Sequence, residues 1–114
     1  MSNIYGALPL YQIHFFIRSN RMDDTLLART RHSIISPKVY WEGEMFADEL
    51  NSDKELMNLL EKVIREEGDI FVDPLPNGVR IYSKWRSQRS LKISADTLKV
   101  YNMIAKHIKR HIRM

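Results

Sequence analysis

His107 and His111 are the residues whose spacing most directly suggests chemistry, because a four-residue step places two side chains on one face of a helix. Two imidazoles on one face can reach a single metal ion, but a zinc site needs at least one further protein ligand. His14, His32 or a carboxylate from the middle of the chain would have to supply it. No glutamate stands beside His107, so the metalloprotease motif is absent. We interpret both histidines as packing or solvent-exposed residues and predict no metal site.

Two pairs of adjacent carboxylates, Asp23-Asp24 and Glu66-Glu67, are the other candidates for acid–base chemistry. Helix capping or a solvated helix end explains each pair better than catalysis does. The chain has no cysteine, which excludes disulfides, thiolate nucleophiles and cysteine-based zinc sites. Its glycines are scattered and form no phosphate-binding loop or dinucleotide fingerprint. We predict no catalytic residue and no cofactor, and the sequence leaves open whether the protein is an enzyme.

Charge is the clearest functional signal, because it is sorted into three blocks along the chain. Residues 1–41 carry five Lys/Arg and two Asp/Glu, whereas residues 42–73 carry three Lys/Arg and eleven Asp/Glu. Residues 74–114 carry ten Lys/Arg and one Asp/Glu. The formal net charge of +4 therefore combines an acidic middle with a strongly basic end. Such asymmetry favours binding to polyanions, to acidic partners or to a second copy of the chain.

The first third of the chain predicts two strands and a short helix. Alternating apolar residues indicate a strand over residues 10–18. Asp23 or Asp24 is placed to cap a short helix over residues 25–32. An extended segment over residues 34–41 follows and contains a proline, which is typical of an edge strand or of a strand after a loop.

The acidic middle predicts a well-defined helix. Ser52 and Glu55 have the spacing of a capping box, and residues 45–50 form a preceding helical turn. Gly68 is placed to end the helix in a left-handed conformation. The apolar face between these ends contains five residues, Leu56, Leu59, Leu60, Val63 and Ile64.

The basic third predicts a β-hairpin and a long helix. Strands over residues 69–73 and 79–85 flank a turn that we place at Asn77-Gly78, because this pair tolerates positive φ at both turn positions. The last helix begins near Ser94 and runs toward the C-terminus.

Together these elements predict a single α+β domain over residues 1–114. We expect two to three helices, including the long C-terminal one, on one face of a mainly antiparallel sheet of three to four strands. The longest apolar stretch, residues 5–17, is interrupted by polar residues and too short to span a membrane. We therefore expect a cytoplasmic protein with no membrane partner.

The last helix separates its side chains by type at about 100° per residue. Its predicted apolar seam contains Leu98, Tyr101, Ala105, Ile108 and Ile112, widened by Ile104. A second sector, which we call the cationic ridge, contains Asn102 and five cations, Lys99, Lys106, Lys109, Arg110 and Arg113. Cations late in a helix complement its dipole, but a solvated face usually mixes both signs. The ridge is thus either a bare solvated face or a surface for a polyanion or partner.

The hairpin carries a second cationic pattern. Arg80, Tyr82 and Lys84 share one side of its second strand, and three cations follow in the loop, Arg86, Arg89 and Lys92. Cations interleaved with an aromatic residue can hold phosphates and stack a base. Alternatively, Arg80 and Lys84 shield an edge strand from aggregation, and for the hairpin alone we favour this interpretation.

Two functional hypotheses follow. In the first, the protein is a small nucleic-acid-associated module that binds mainly through phosphates. Its predicted contact residues are Arg80, Tyr82, Lys84, Arg86, Arg89, Lys99, Lys106, Lys109, Arg110 and Arg113. In the second, it is a protein-interaction or self-assembling domain, such as a homodimer, in which the acidic block neutralises the basic one within the fold or across the dimer. The location of Glu61, Glu66 and Glu67 relative to the ridge discriminates between them.

Overall fold

The computed structural model describes residues 10–11, 14–20, 22–32, 38–83, 86–87 and 93–113. These residues adopt the predicted α+β fold. The helices are α1 (Met45–Asn51), α2 (Lys54–Glu67) and α3 (Ala95–Arg113). The strands are β1 (Leu10–Tyr11), β2 (His14–Arg18), β3 (Ala28–His32), β4 (Val39–Gly43), β5 (Ile70–Leu75), β6 (Gly78–Ser83) and β7 (Arg86–Ser87).

Five strands form an antiparallel sheet in the order β2-β6-β5-β3-β4. The sheet therefore has one strand more than the three to four that we predicted. The additional strand is β3, which lies in the segment that we predicted to be helical. A separate antiparallel ladder pairs β1 with β7. Burial alternates along β5 and β6, so one face of the sheet is covered and the other is open. The helices pack on the covered face.

The predicted helix over residues 25–32 is wrong. Only Asp24–Leu26 is helical, as a 3-10 turn that Asp23 caps by accepting a hydrogen bond from the Thr25 amide (3.0 Å). The chain then enters β3, where Ala28 and Thr30 are buried between half-buried and exposed arginines. This two-residue period matches a strand that buries one face, and pairing with both β4 and β5 outweighs the weak local preference for helix.

The cap of α2 also differs from the prediction. Ser52 closes α1, with its hydroxyl donating to the Asp48 carbonyl (2.9 Å). Asp53 is the residue that caps α2, because its carboxylate accepts a hydrogen bond from the Leu56 amide (3.1 Å). The helix ends at Gly68, as predicted, and its φ is positive (78°), but its ψ of −164° differs from the left-handed helical conformation that we expected.

The β5–β6 hairpin is confirmed, but its turn residues are not those predicted. Leu75 pairs with Gly78, so Pro76 and Asn77 occupy the turn. No described residue other than glycine has positive φ, so Asn77 does not adopt the conformation we expected. Pro76 instead presets the negative φ of the first turn position.

The core lies between the helices and the covered face of the sheet. Its largest fully buried side chains include Phe46 and Leu50 from α1, Leu56 and Leu60 from α2, Tyr101, Ile104 and Ile108 from α3, and Ile70, Val72 and Ile81 from the sheet. The seam of α3 differs from the prediction at Leu98, which is 39% exposed, and at Val100, which is fully buried. The buried face is wider than predicted because α3 packs against α2 as well as the sheet.

Candidate nucleic-acid interface

Helices α2 and α3 face each other, but few of their opposite charges pair. Lys62 of α2 binds Asp96 of α3 (2.9 Å), and Glu55 of α2 lies 3.4 Å from Lys99, a member of the ridge. These pairs are largely exposed, so solvent screens their attraction and each contributes little to stability. Glu67 is buried and accepts a hydrogen bond from Thr97 (3.5 Å). The acidic helix therefore does not neutralise the ridge as a whole.

Most of the cationic ridge remains available to solvent. Lys106, Lys109 and Arg110 are exposed and form no ion pair with any described residue. Glu61 and Glu66, which we considered as partners for the ridge, are exposed on α2 and make no ion pair with it in the described part of the chain. The side chain of Arg113 lies outside the described residues, although its backbone completes α3.

The ridge stands between two surface grooves. The groove toward α2, about 570 Å³, is lined by Lys99, Lys106 and Arg110 but also by Asp53 and Glu55. The groove toward β2, about 560 Å³, is lined by Lys109 together with Arg18 and contains no acidic residue. Asn102 lines both grooves. The most positive path for a polyanion therefore follows the crest of the ridge and its β2 side.

Arg80 and Tyr82 of the hairpin do not join the ridge. Val79 and Ile81 are buried against the helices, so Arg80 and Tyr82 point to the open face of the sheet. Arg80 donates a hydrogen bond to the Asp73 carboxylate (3.1 Å), and its guanidinium lies 4.2 Å from the centre of the Tyr82 ring. Its charge is thus already paired within the sheet.

The other predicted hairpin cations are only partly located. Lys84, Arg89 and Lys92 lie outside the described residues. Arg86 is located by its backbone alone, in β7 opposite Tyr11.

An aromatic row on the open face was missed by the sequence analysis. The ring of Tyr82 stacks on those of His14 and Phe71, with centroids 5.8 and 5.1 Å apart, and Arg29 lies 4.9 Å from the centre of the Phe71 ring. Partial burial, and then the charge of Arg80, lower the pKa of His14. The alternation of each strand was visible in the sequence, but the register that aligns the rings was not.

His107 is held by carboxylates rather than by apolar packing alone. Its Nδ1 lies 2.8 Å from an oxygen of Glu49, and its Nε2 lies 2.7 Å from an oxygen of Asp53. Only an imidazolium, which carries a proton on each nitrogen, donates to both. His111 lies one turn further along, with Nε2 3.1 Å from the Thr25 hydroxyl and 3.5 Å from Asp23.

Of the third metal ligands that we considered for the histidine pair, a carboxylate lies near both rings, because Glu49 is 2.8 Å from His107 and 3.9 Å from His111. His14 stacks on Tyr82, and His32 lies 3.5 Å from Asp69, so neither is near His107. Across the described ranges, no group of three or more His, Asp or Glu residues has an arrangement that could hold a metal ion.

Asp53 makes the stability of the fold sensitive to acid. Burial alone would raise the pKa of Asp53, but hydrogen bonds from His107 and the Leu56 amide, together with the imidazolium charge, hold it below its ordinary value. Because the pKa of Asp53 is lower in the native state, the unfolded state binds the proton more readily. The ionised Asp53 therefore stabilises the fold above about pH 4, and this stabilisation is lost as the pH falls through the native pKa. We expect the difference in free energy of unfolding between wild type and Asp53→Asn to shrink as the pH falls below about 4. Urea titrations at pH 3 and pH 6 measure this, and a difference that is constant with pH would contradict it.

No helix in the described residues is both long and apolar enough to cross a membrane. Comparison of the chain with protein-family models, with curated proteins and with solved structures finds no match.

Proposed function

We propose that the protein is a nucleic-acid-associated binding module whose main contact surface is the cationic ridge of α3. The main support for this proposal is the solvent exposure of Lys106, Lys109 and Arg110. These three cations are exposed and without an acidic partner among the described residues, although the acidic helix α2 packs directly beside α3. We include a cytoplasmic location in the proposal, which the absence of cysteine favours.

The spacing of the three cations suits a phosphate backbone. Four residues of helix span about 6 Å along the axis, and one strand of B-DNA advances about 3.4 Å per phosphate. The cations can therefore contact neighbouring phosphates without displacing a bound carboxylate. Binding of this kind is weakly sequence-specific and strongly salt-dependent.

Arg80 and Tyr82 are expected to contribute less than the ridge. A phosphate that approaches Arg80 must compete with Asp73, which already accepts its hydrogen bond. The open face also points away from the ridge, so one short strand of nucleic acid does not contact both surfaces at once. We therefore retain Arg80 and Tyr82 as secondary contacts.

Neutralising the ridge is expected to abolish most of the salt-dependent binding. We expect the triple variant Lys106→Gln, Lys109→Gln, Arg110→Gln to lower the affinity for a 20-nucleotide single strand about 10- to 100-fold at low salt. The slope of log K against log salt concentration should become shallower by about two to three, because up to three phosphate contacts are lost. Fluorescence anisotropy with single- and double-stranded DNA and RNA measures both quantities.

The matched control removes the same charge elsewhere. Lys38→Gln, Lys54→Gln, Arg65→Gln changes three exposed cations outside α3 and should lower the affinity far less. Equal losses for the two triple variants would show that only net charge matters. No binding by the wild type even at low salt would refute the proposal.

A further inference from the structure

β2 is an edge strand of the sheet. On the side away from β6, no described strand pairs with its backbone. The Ser19 amide donates to the Asn77 carbonyl (3.1 Å), which identifies Ser19 and Asn77 as a hydrogen-bonded pair. Such pairs alternate in an antiparallel ladder, so Phe15 and Ile17 also direct their backbone groups toward β6. The amides and carbonyls of the three intervening residues therefore point outward, namely those of His14, Phe16 and Arg18.

The opposite edge of the sheet is blocked. The Asn51 side chain accepts a hydrogen bond from the Trp41 amide (2.8 Å) and donates one to the Trp41 carbonyl (2.9 Å). An amide group in this position satisfies the backbone of Trp41, in the middle of β4, as a neighbouring strand would. Natural sheets usually protect their edges in some such way, so an edge without this protection invites pairing with another strand.

A groove runs beside the outer edge of β2, between it and α3. We call it the β2 groove, and its main lining residues are Phe15, Phe16, Arg18, Asn102, Lys109 and Ile112. Phe16 is 45% exposed, although its ring covers the backbone of Gly78. A second cavity of about 560 Å³ shares Phe16, Arg18 and Ile112 and extends the groove past the end of β2. No acidic residue lines either cavity.

We propose that the β2 groove binds an acidic, extended peptide segment of another protein by strand addition. The outward groups of His14, Phe16 and Arg18 supply the hydrogen bonds for an added strand. Side chains of that strand alternate between the two sheet faces, so acidic residues can reach Arg18 on one side and Lys109 on the other. The site uses the backbone of β2 and goes beyond the ridge proposed above.

A second copy of this chain fits the groove less well. Antiparallel pairing of two β2 strands about Phe16 adds no acidic side chain to the groove, because its charged lining residues are Arg18 and Lys109 in both copies. Like charges in such positions oppose pairing. Single-stranded nucleic acid has no row of amides and carbonyls to match the strand edge, so it does not satisfy the same backbone groups.

The test uses the full chain and two labelled nine-residue probes. One probe alternates glutamate with valine, and the other alternates lysine with valine. We expect the glutamate probe to bind at least tenfold more tightly by fluorescence anisotropy. Phe16→Pro removes an outward amide without removing a bond to β6, whereas Phe16→Ala removes only the ring. Phe16→Pro should therefore bind the glutamate probe at least tenfold more weakly than Phe16→Ala does.

Amide hydrogen exchange on the wild type keeps the proposal testable even if Phe16→Pro does not fold. Saturating glutamate probe should slow exchange at Phe16 and Arg18 at least tenfold and leave Phe15 and Ile17, which already bond to β6, little changed. Failure of the glutamate probe to bind, equal affinity for both probes, or unchanged exchange at Phe16 and Arg18 would overturn the proposal. So would dimerisation through β2 in light scattering, or a single-stranded oligonucleotide that protects the same two amides.

Discussion

Replacing Gly43 by alanine is expected to lower the free energy of unfolding by about 3 kcal/mol or more, a large part of the stability of a small domain. A Cβ at this position would lie 2.8 Å from the Cα of Ala28 and closer still to the carbonyl oxygen of Leu27. Both obstacles are backbone atoms, so no side chain can rotate to make room. The Gly43 φ of 155° adds strain, because side chains rarely adopt it.

The displacement of β4 caused by this contact should also disturb the packing of the core. Gly43 ends β4 opposite Ala28, and the next residue, Glu44, donates its amide to the Leu27 carbonyl (2.9 Å). Moving β4 away from Leu27 therefore breaks this bond and displaces Trp41, which is 2% exposed.

Urea unfolding of Gly43→Ala beside Glu42→Ala separates this collision from a general effect of changing β4. Glu42 is exposed and pairs only loosely with Arg31 (3.4 Å), so its replacement should cost less than about 1 kcal/mol. Similar losses for the two variants would mean that β4 adjusts to the added methyl group.

Gly43 also illustrates what the sequence did not reveal. Its importance depends on the approach of two strands that are distant in sequence, and no local pattern marks it. The same limit applies to β3, where Thr30 donates to Asp69 and accepts from the Ile70 amide, both at 2.9 Å. These partners are about 40 residues away, so a propensity argument predicted a helix where long-range pairing formed a strand.

The elements that the sequence predicted well are those with local signals. The C-terminal helix begins where the Ser94 hydroxyl accepts from the Thr97 amide (3.1 Å), and its charges sort by helical period without reference to the rest of the fold. Exposure of Lys106 and Lys109 followed from that period. The helical period did not predict which acidic side chains contact α3, because those contacts depend on how the three helices pack together.

The contact that depends most on this packing is the one between His107 and two carboxylates. Glu49 belongs to α1, Asp53 caps α2, and His107 lies on α3, so one imidazole ring joins all three helices. Its side chain is 12% exposed, whereas those of Glu49 and Asp53 are 33% and 23% exposed. A charge in this position is shielded from solvent far more than the ion pairs on the surface of α2 and α3.

We expect His107→Ala to lower the free energy of unfolding by about 2–4 kcal/mol, because it leaves two partly buried carboxylates without their counterion. His32→Ala is the matched control, since His32 also lies beside a carboxylate, Asp69, but is 49% exposed and should cost less than about 1 kcal/mol. A double-mutant cycle with Glu49→Gln identifies the cause. If the lost counterion is responsible, Glu49→Gln will be less costly, or even stabilising, in the His107→Ala background. Strictly additive losses would instead assign the effect of His107 to packing.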